Sequence, residues 1–200
     1  MFEEKEYRDE DFSDALILED VLERMTFVRC KFRDADFAQI RLDHCRFEDC
    51  IFDGARMNGA AIVGCAFLNC DFRFTDCGGA EFTDCKMTGS DFTDTRFAMT
   101  SFGPGDWSYT VLERAEFSGY RFTDMNFRGA DLTRANFSKA LLTRCDFSGA
   151  NLNSANFRGA DLRSSEMHNV NFLAFDFAKA RIDLDLAVTI AESLGARYEP

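Results

Sequence analysis

The sequence predicts an all-β protein, a right-handed quadrilateral β-helix with a short C-terminal helix. Three observations predict it. Stepping in fives from Tyr7 to Ile182 visits 36 positions, and 35 of them are bulky apolar or aromatic residues. Of the 23 phenylalanines, 21 fall on that phase, Phe2 included. A second phase lies two residues earlier, from 10 to 180, where 28 of 35 residues are Ala, Cys, Ser, Thr, Gly or Val. A helix repeats at 3.6 residues and a strand at 2. A period of five therefore describes a chain that turns a corner once per unit and aims its small and bulky residues inward.

Each unit reads small–polar–bulky–polar–polar, as in Ala130-Asp131-Leu132-Thr133-Arg134. The residue between the small and bulky positions is rich in Asp and Asn, for example Asp71, Asp91, Asn126 and Asp161. Four units close a square coil, so residues 20 apart stack. Phe12, Phe32, Phe52, Phe72 and Phe92 are expected to form one column, and Phe97, Phe117, Phe137, Phe157 and Phe177 another. At the usual strand spacing the repeats make about nine coils and a rod of about 43 Å. The expected division is a cap at 1–6, the β-helix at 7–182 and a helix with its tail at 183–200.

Composition agrees. With 46% hydrophobic and 29% charged residues the chain is globular, and only 2 prolines interrupt its backbone ladders. No apolar run is long enough for a membrane span, so no membrane partner is expected. The start, Met1 to Glu6, lacks the basic and apolar regions of a signal peptide; a cytoplasmic location is expected. A net charge of −12 opposes direct binding to nucleic acid, whose phosphates it would repel.

Seven of the 8 cysteines (Cys30, Cys45, Cys50, Cys65, Cys70, Cys85 and Cys145) occupy the small inward phase, and Cys77 occupies the bulky one. They read as buried filler. None has the close pairing of a zinc site, and disulfides are not expected in the cytoplasm. No metal or cofactor is expected. His44 and His168 lie on outward phases far apart, and neither a nucleophile elbow nor a phosphate-binding loop is present. The chain is not expected to be an enzyme.

The repeat is disturbed in two places. Gly103-Pro104-Gly105 keeps the phase but loses the motif, and Tyr120 and Met125 are oversized for the small phase. Residues 103–125 read as a discontinuity between two halves of the solenoid, or as a repaired packing defect. Phe74 is off phase at a corner beside Cys77-Gly78-Gly79, a candidate contact residue.

A solenoid needs its ends covered. Asp183-Leu184-Asp185 reads as a helix start and Gly195 as its stop. Leu184, Leu186, Ile190 and Leu194 give that helix a wide apolar stripe, with Phe172, Phe175 and Phe177 nearby. These seven residues are the candidate interface of a homodimer joined at the C-terminal end; the alternative is a simple cap. Charge is uneven: residues 1–102 hold 22 acids against 12 bases, and residues 103–184 hold 10 of each. On a four-sided coil Asp11, Asp14, Asp53, Asp91 and Asp94 share one side, and Glu81 and Asp84 the opposite one. These seven acids are the candidate partner-binding surface.

The period of five over 7–182 resembles the pentapeptide-repeat family, a strong signal for fold and a weak one for function. The acidic balance, the mid-rod irregularity and the ending Ile182-Asp183-Leu184-Asp185-Leu186-Ala187 into Leu194-Gly195 resemble its gyrase-protecting branch. That branch comprises the quinolone-resistance, mycobacterial fluoroquinolone-resistance and albicidin-resistance proteins. The resemblance implies a dimeric DNA mimic that binds DNA gyrase, and in some members topoisomerase IV, and relieves poisoning. The long projecting loops of some plasmid-borne members are missing here. The alternative is a scaffolding solenoid with no topoisomerase target.

Overall fold

The computed structural model describes residues 2–197 and 199 and shows a parallel β-solenoid with four faces, here A to D in chain order. Face A is a sheet of Glu6–Arg8, Thr26–Val28, Arg46–Glu48, Ala66–Leu68, Cys85–Lys86, Gly105–Asp106 and Met125–Asn126. Face D is a sheet of Val21–Glu23, Arg41–Asp43, Ala61–Val63, Glu81–Thr83 and Ser101–Phe102, followed by a separate pair, Arg121–Thr123 and Leu141–Thr143. Faces B and C are held by single bridges, such as Asp71↔Asp91 and Asp36↔Arg56. Nearly every pairing joins residues 20 apart, for example Phe27↔Phe47 and Asp131↔Asn151. Regular strand pairing thus runs through seven coils on face A, against the nine expected. Beyond Asn126 the corner turns leave one bridging residue per unit, and bridges through Asp146 to Glu166 carry the ladder on.

The corners have one conformation. Every fifth residue from Asp9 to Lys179, except Glu19, Pro104 and Ala174, has φ between 51° and 74°. Left-handed backbone is unfavourable for most L-residues, so here the coil-to-coil ladder imposes it. Where an Asp or Asn precedes the bulky residue, it helps to set the corner. Its carboxylate or amide oxygen accepts the N–H two residues on, as Asp131 does from Thr133 at 3.0 Å and Asp76 from Gly78 at 2.9 Å. This is an Asx turn.

Inside, the bulky residues stack. Phe32, Phe52, Phe72 and Phe92 lie 5.1, 4.8 and 4.7 Å apart with nearly parallel rings. Phe27, Phe47 and Phe67 form a second column on face A. The cysteines are free and buried, and they do more than fill space. Most small-phase thiols and hydroxyls reach the carbonyl 23 residues back: Cys45 to Leu22, Cys50 to Phe27, Thr75 to Phe52 and Ser90 to Phe67, whereas Thr110 bonds Trp107 O instead. Burial pushes the Cys85 thiol up to about 11 and Cys145 to about 12, so both stay protonated donors. Among the described residues no His, Cys, Asp and Glu group is placed to hold a metal.

The column expected to end at Phe177 ends differently. At Ala174 the corner loses its positive φ, and Ser154 N–H bonds to the Ala174 carbonyl rather than to that of Leu173. This slip brings Phe175 inward against Phe157, with ring centroids 5.5 Å apart, and leaves Phe177 half-buried. The helix α1, Leu184–Ser193, follows. The Asp183 side chain accepts the N–H of Leu186 at 3.0 Å and that of Ser164 at 2.6 Å, tying the cap to the last coils. At the other end Gly195 N–H bonds Glu192 O, and Ala196 N–H bonds Ala191 O. That is a Schellman motif, with Gly195 at φ 92°. At the N-terminal end Phe2 lies edge-on to Tyr7, Phe12 and Phe27 and closes the core.

Candidate partner-binding surfaces

The structure places the seven candidate acids in two groups on opposite sides. Asp11, Asp53 and Asp91 lie on face B and Asp14 and Asp94 at its corner, whereas Glu81 and Asp84 lie on face D. They are not equivalent. The Asp91 oxygen accepts from Thr93 N–H at 2.8 Å and Thr93 Oγ1 at 2.7 Å, so its charge serves the turn. Asp11 does the same with Ser13 and lies 3.4 Å from Lys31, and these contacts hold its carboxyl below the usual range. Asp14, Asp53, Glu81, Asp84 and Asp94 have no side-chain hydrogen bond or salt bridge among the described residues. They are the free acids of the set. The sequence did carry a signal for this distinction: Asp11 and Asp91 are aspartates immediately before a bulky-phase residue, whereas Glu81, at the same phase, is a glutamate and makes no such turn.

Bases often pair from coil to coil, as in Arg29 to Asp9 at 2.6 Å and Arg144 to Asp124 at 2.6 Å. These pairs are exposed and each adds little stability.

At the C-terminal end the seven candidate interface residues separate. Phe172, Phe175 and Leu186 are buried within the protomer, and Phe177 and Ile190 are packed against the core. Leu184 and Leu194 point outward, 68% and 57% exposed. With Ala187, Val188 and Ala191, Leu184 lines a shallow apolar depression of about 240 Å³ on the outer side of α1.

The middle of the rod holds a feature that the sequence hinted at only through oversized residues. Phe92, Phe97, Phe102 and Trp107 fill four consecutive inward positions, a full turn of aromatics. Gly105 makes room for it: a Cβ there would lie 2.7 Å from Cys85 O and 3.3 Å from Trp107 Nε1. The twenty-residue register is kept through residues 103–125, with Gly105 paired to both Cys85 and Met125. The ladder opens on faces C and D instead. Among the described residues no backbone hydrogen bond joins residues 94–101 to 113–121. Face B stays joined there, with Phe92 N–H on Val111 O at 2.8 Å.

Tyr120 causes the opening. It occupies a small-phase position and makes the usual bond to the carbonyl 23 residues back, its hydroxyl donating to Phe97 O at 2.5 Å. A phenol spans far more than the thiol or hydroxyl that does this elsewhere, so its ring wedges the two coils apart. The result is a cleft of about 420 Å³ between Arg96–Ala98 and Glu113–Glu116, with Tyr120 in its wall.

A family model described as pentapeptide repeats matches residues 110–149 and 140–172. Over those residues the coil is built of pentapeptide repeats. A second model, described as the SV2A/B/C luminal domain, matches residues 1–92. The solenoid is similar to a trypsin-treated variant of QnrB1, a plasmid-mediated fluoroquinolone resistance protein. The identity is 24%, the match covers 97% of each chain and the TM-score is 0.83. Full-length QnrB1, also 24% identical, matches over 96% of this chain and 100% of its own, with a TM-score of 0.68. HetL is a pentapeptide-repeat protein involved in heterocyst differentiation regulation in the cyanobacterium Nostoc sp. strain PCC 7120. It is 18% identical over 88% of this chain and 84% of its own, with a TM-score of 0.50. No curated protein matches by sequence. These likenesses establish the fold.

Proposed function

We propose that this pentapeptide-repeat protein binds DNA gyrase as a DNA mimic and shields it from quinolone-type poisons. The observation that carries this reading is the end-to-end match in fold to QnrB1, a fluoroquinolone resistance protein, over 97% of both chains. Charge adds to it. The formal net charge is −12, and the free carboxylates Asp14, Asp53, Glu81, Asp84 and Asp94 all lie in the N-terminal half. A rod-shaped polyanion competes for a basic DNA-binding groove by shape and charge, and requires no catalytic group. We place the protein in the cytoplasm with its target; no helix among the described residues is long and apolar enough to cross a membrane. Leu184 and Leu194, exposed on α1, are proposed as the seam of a homodimer that carries the acidic halves outward. Topoisomerase IV is a secondary target on the same grounds.

The test is supercoiling by purified gyrase with a quinolone present. Rescue by the wild-type protein is expected, reduced when Glu81→Gln, Asp84→Asn and Asp94→Asn are combined. Absence of both rescue and binding at low salt refutes the reading.

A further inference from the structure

Four independent observations converge on face C in the middle of the rod. Besides Tyr109, whose ring carries a hydroxyl, the only described non-glycine corners with positive φ that carry large hydrophobic side chains are Phe74 and Met99, at φ 59° and 61°. Both are exposed, at 62% and 87%. Asp, Asn or Gly would suit these positions better on backbone and solvation grounds alike, so two local rules are broken at each. The two residues stand at opposite edges of face C on successive coils, which the Asp76↔Arg96 bridge joins. Between them the surface holds only the small residues Gly78, Gly79 and Ala98 and the Asp76–Arg96 ion pair at 3.5 Å, whose charges cancel. Directly beyond, the Tyr120 cleft leaves ladder groups such as Phe97 N–H without a backbone partner, although Phe97 is only 5% exposed. Violations of local preference that coincide in space mark a functional surface.

We propose that this face is a docking surface for an uncharged, extended segment of the same partner protein, separate from the acidic faces B and D. The inference rests on the gyrase reading for the identity of that partner. The cleft fixes the chemistry of the occupant. Its open N–H and C=O groups form a strand edge, matched by a peptide backbone. Its rim alternates Asp94, Arg96, Glu113, Arg114 and Glu116, a near balance that selects neither a polyanion nor a polycation. Phe74 and Met99 are the apolar anchors beside it, on the two successive coils that precede the opening.

Binding by this face is insensitive to salt, whereas binding by the acidic faces weakens with it. The experiment measures affinity for purified gyrase at low and high salt with the full-length wild type and two variants. The first combines Phe74→Asn with Met99→Asn, which suits the left-handed corners and raises the melting temperature. The second, Ala98→Arg, obstructs the flat face without touching a corner. Both are expected to lose at least about tenfold in affinity, equally at the two salt concentrations. Unchanged affinity overturns the docking surface while leaving the gyrase reading intact. A lowered melting temperature in the double Asn variant also overturns it, because the two side chains then serve the fold. No binding by the wild type at either salt sinks the functional reading and the occupant together.

Discussion

Replacing Tyr120 by threonine should close the cleft and stabilise the protein. Thr75 and Thr100 already make the same bond to the carbonyl 23 residues back, at 2.8 and 2.7 Å, without parting their coils. In the regular register five bonds would cross the opening. They run from the N–H groups of Asp94, Phe97, Met99, Glu116 and Arg121 to Glu113, Glu116, Ser118, Thr95 and Thr100, and all five are missing. At the low end of net hydrogen-bond values, about 0.5–1 kcal/mol each, their recovery contributes about 2.5–5 kcal/mol. Against this stands the lost burial of a ring that is only partly buried, costing about 1–2 kcal/mol. The balance is a gain of about 0.5–4 kcal/mol, read by denaturant unfolding. Amide exchange gives the local readout: Phe97, Met99 and Glu116 should become protected in Tyr120→Thr. A loss of stability above about 1 kcal/mol with those amides still exchanging fast would refute the wedge.

Two further outcomes follow from the packing and the cap. Phe52 is fully buried between Phe32 and Phe72, so Phe52→Ala should cost about 3–5 kcal/mol in unfolding free energy; a loss under 1 kcal/mol would contradict the stack. Asp183 is held below the ordinary carboxylate range by the N–H groups of Leu186 and Ser164. A lowered folded-state value means its stabilisation is present above the unfolded carboxylate value and fades as pH falls through the folded one. Asp183→Ala should cost about 1 kcal/mol at neutral pH, and the difference from wild type in thermal melts should shrink below about pH 4.

The period of five made the columns and the corners legible, because both depend only on which residues share a phase. The helix was legible too, since Asp183 and Gly195 act through local chemistry at fixed offsets. What was hidden depends on register between coils. The bond from a small-phase hydroxyl or thiol to the carbonyl 23 residues back exists only once the chain has wound a full turn, so Cys45 and Thr75 read merely as filler. Tyr120 was visible as oversized, but not that its ring would part faces C and D while face B held. Phe175 looked like a candidate dimer contact because it is oversized for the inward small phase. The slip at Ala174 seats its ring against Phe157. Asp91 counted as surface charge until its turn with Thr93 was seen.

The twenty-residue register has a consequence for how such a chain can change length. Excising one full coil would leave every later residue over the same side as before, so each charged row would continue unbroken on a shorter rod. Removing a single unit of five would leave the core pattern equally content, yet rotate everything downstream by a quarter turn. Glu81 and Asp84 would then move onto a neighbouring side of the rod relative to Asp14 and Asp53. Folding would tolerate the two deletions alike, and recognition would not.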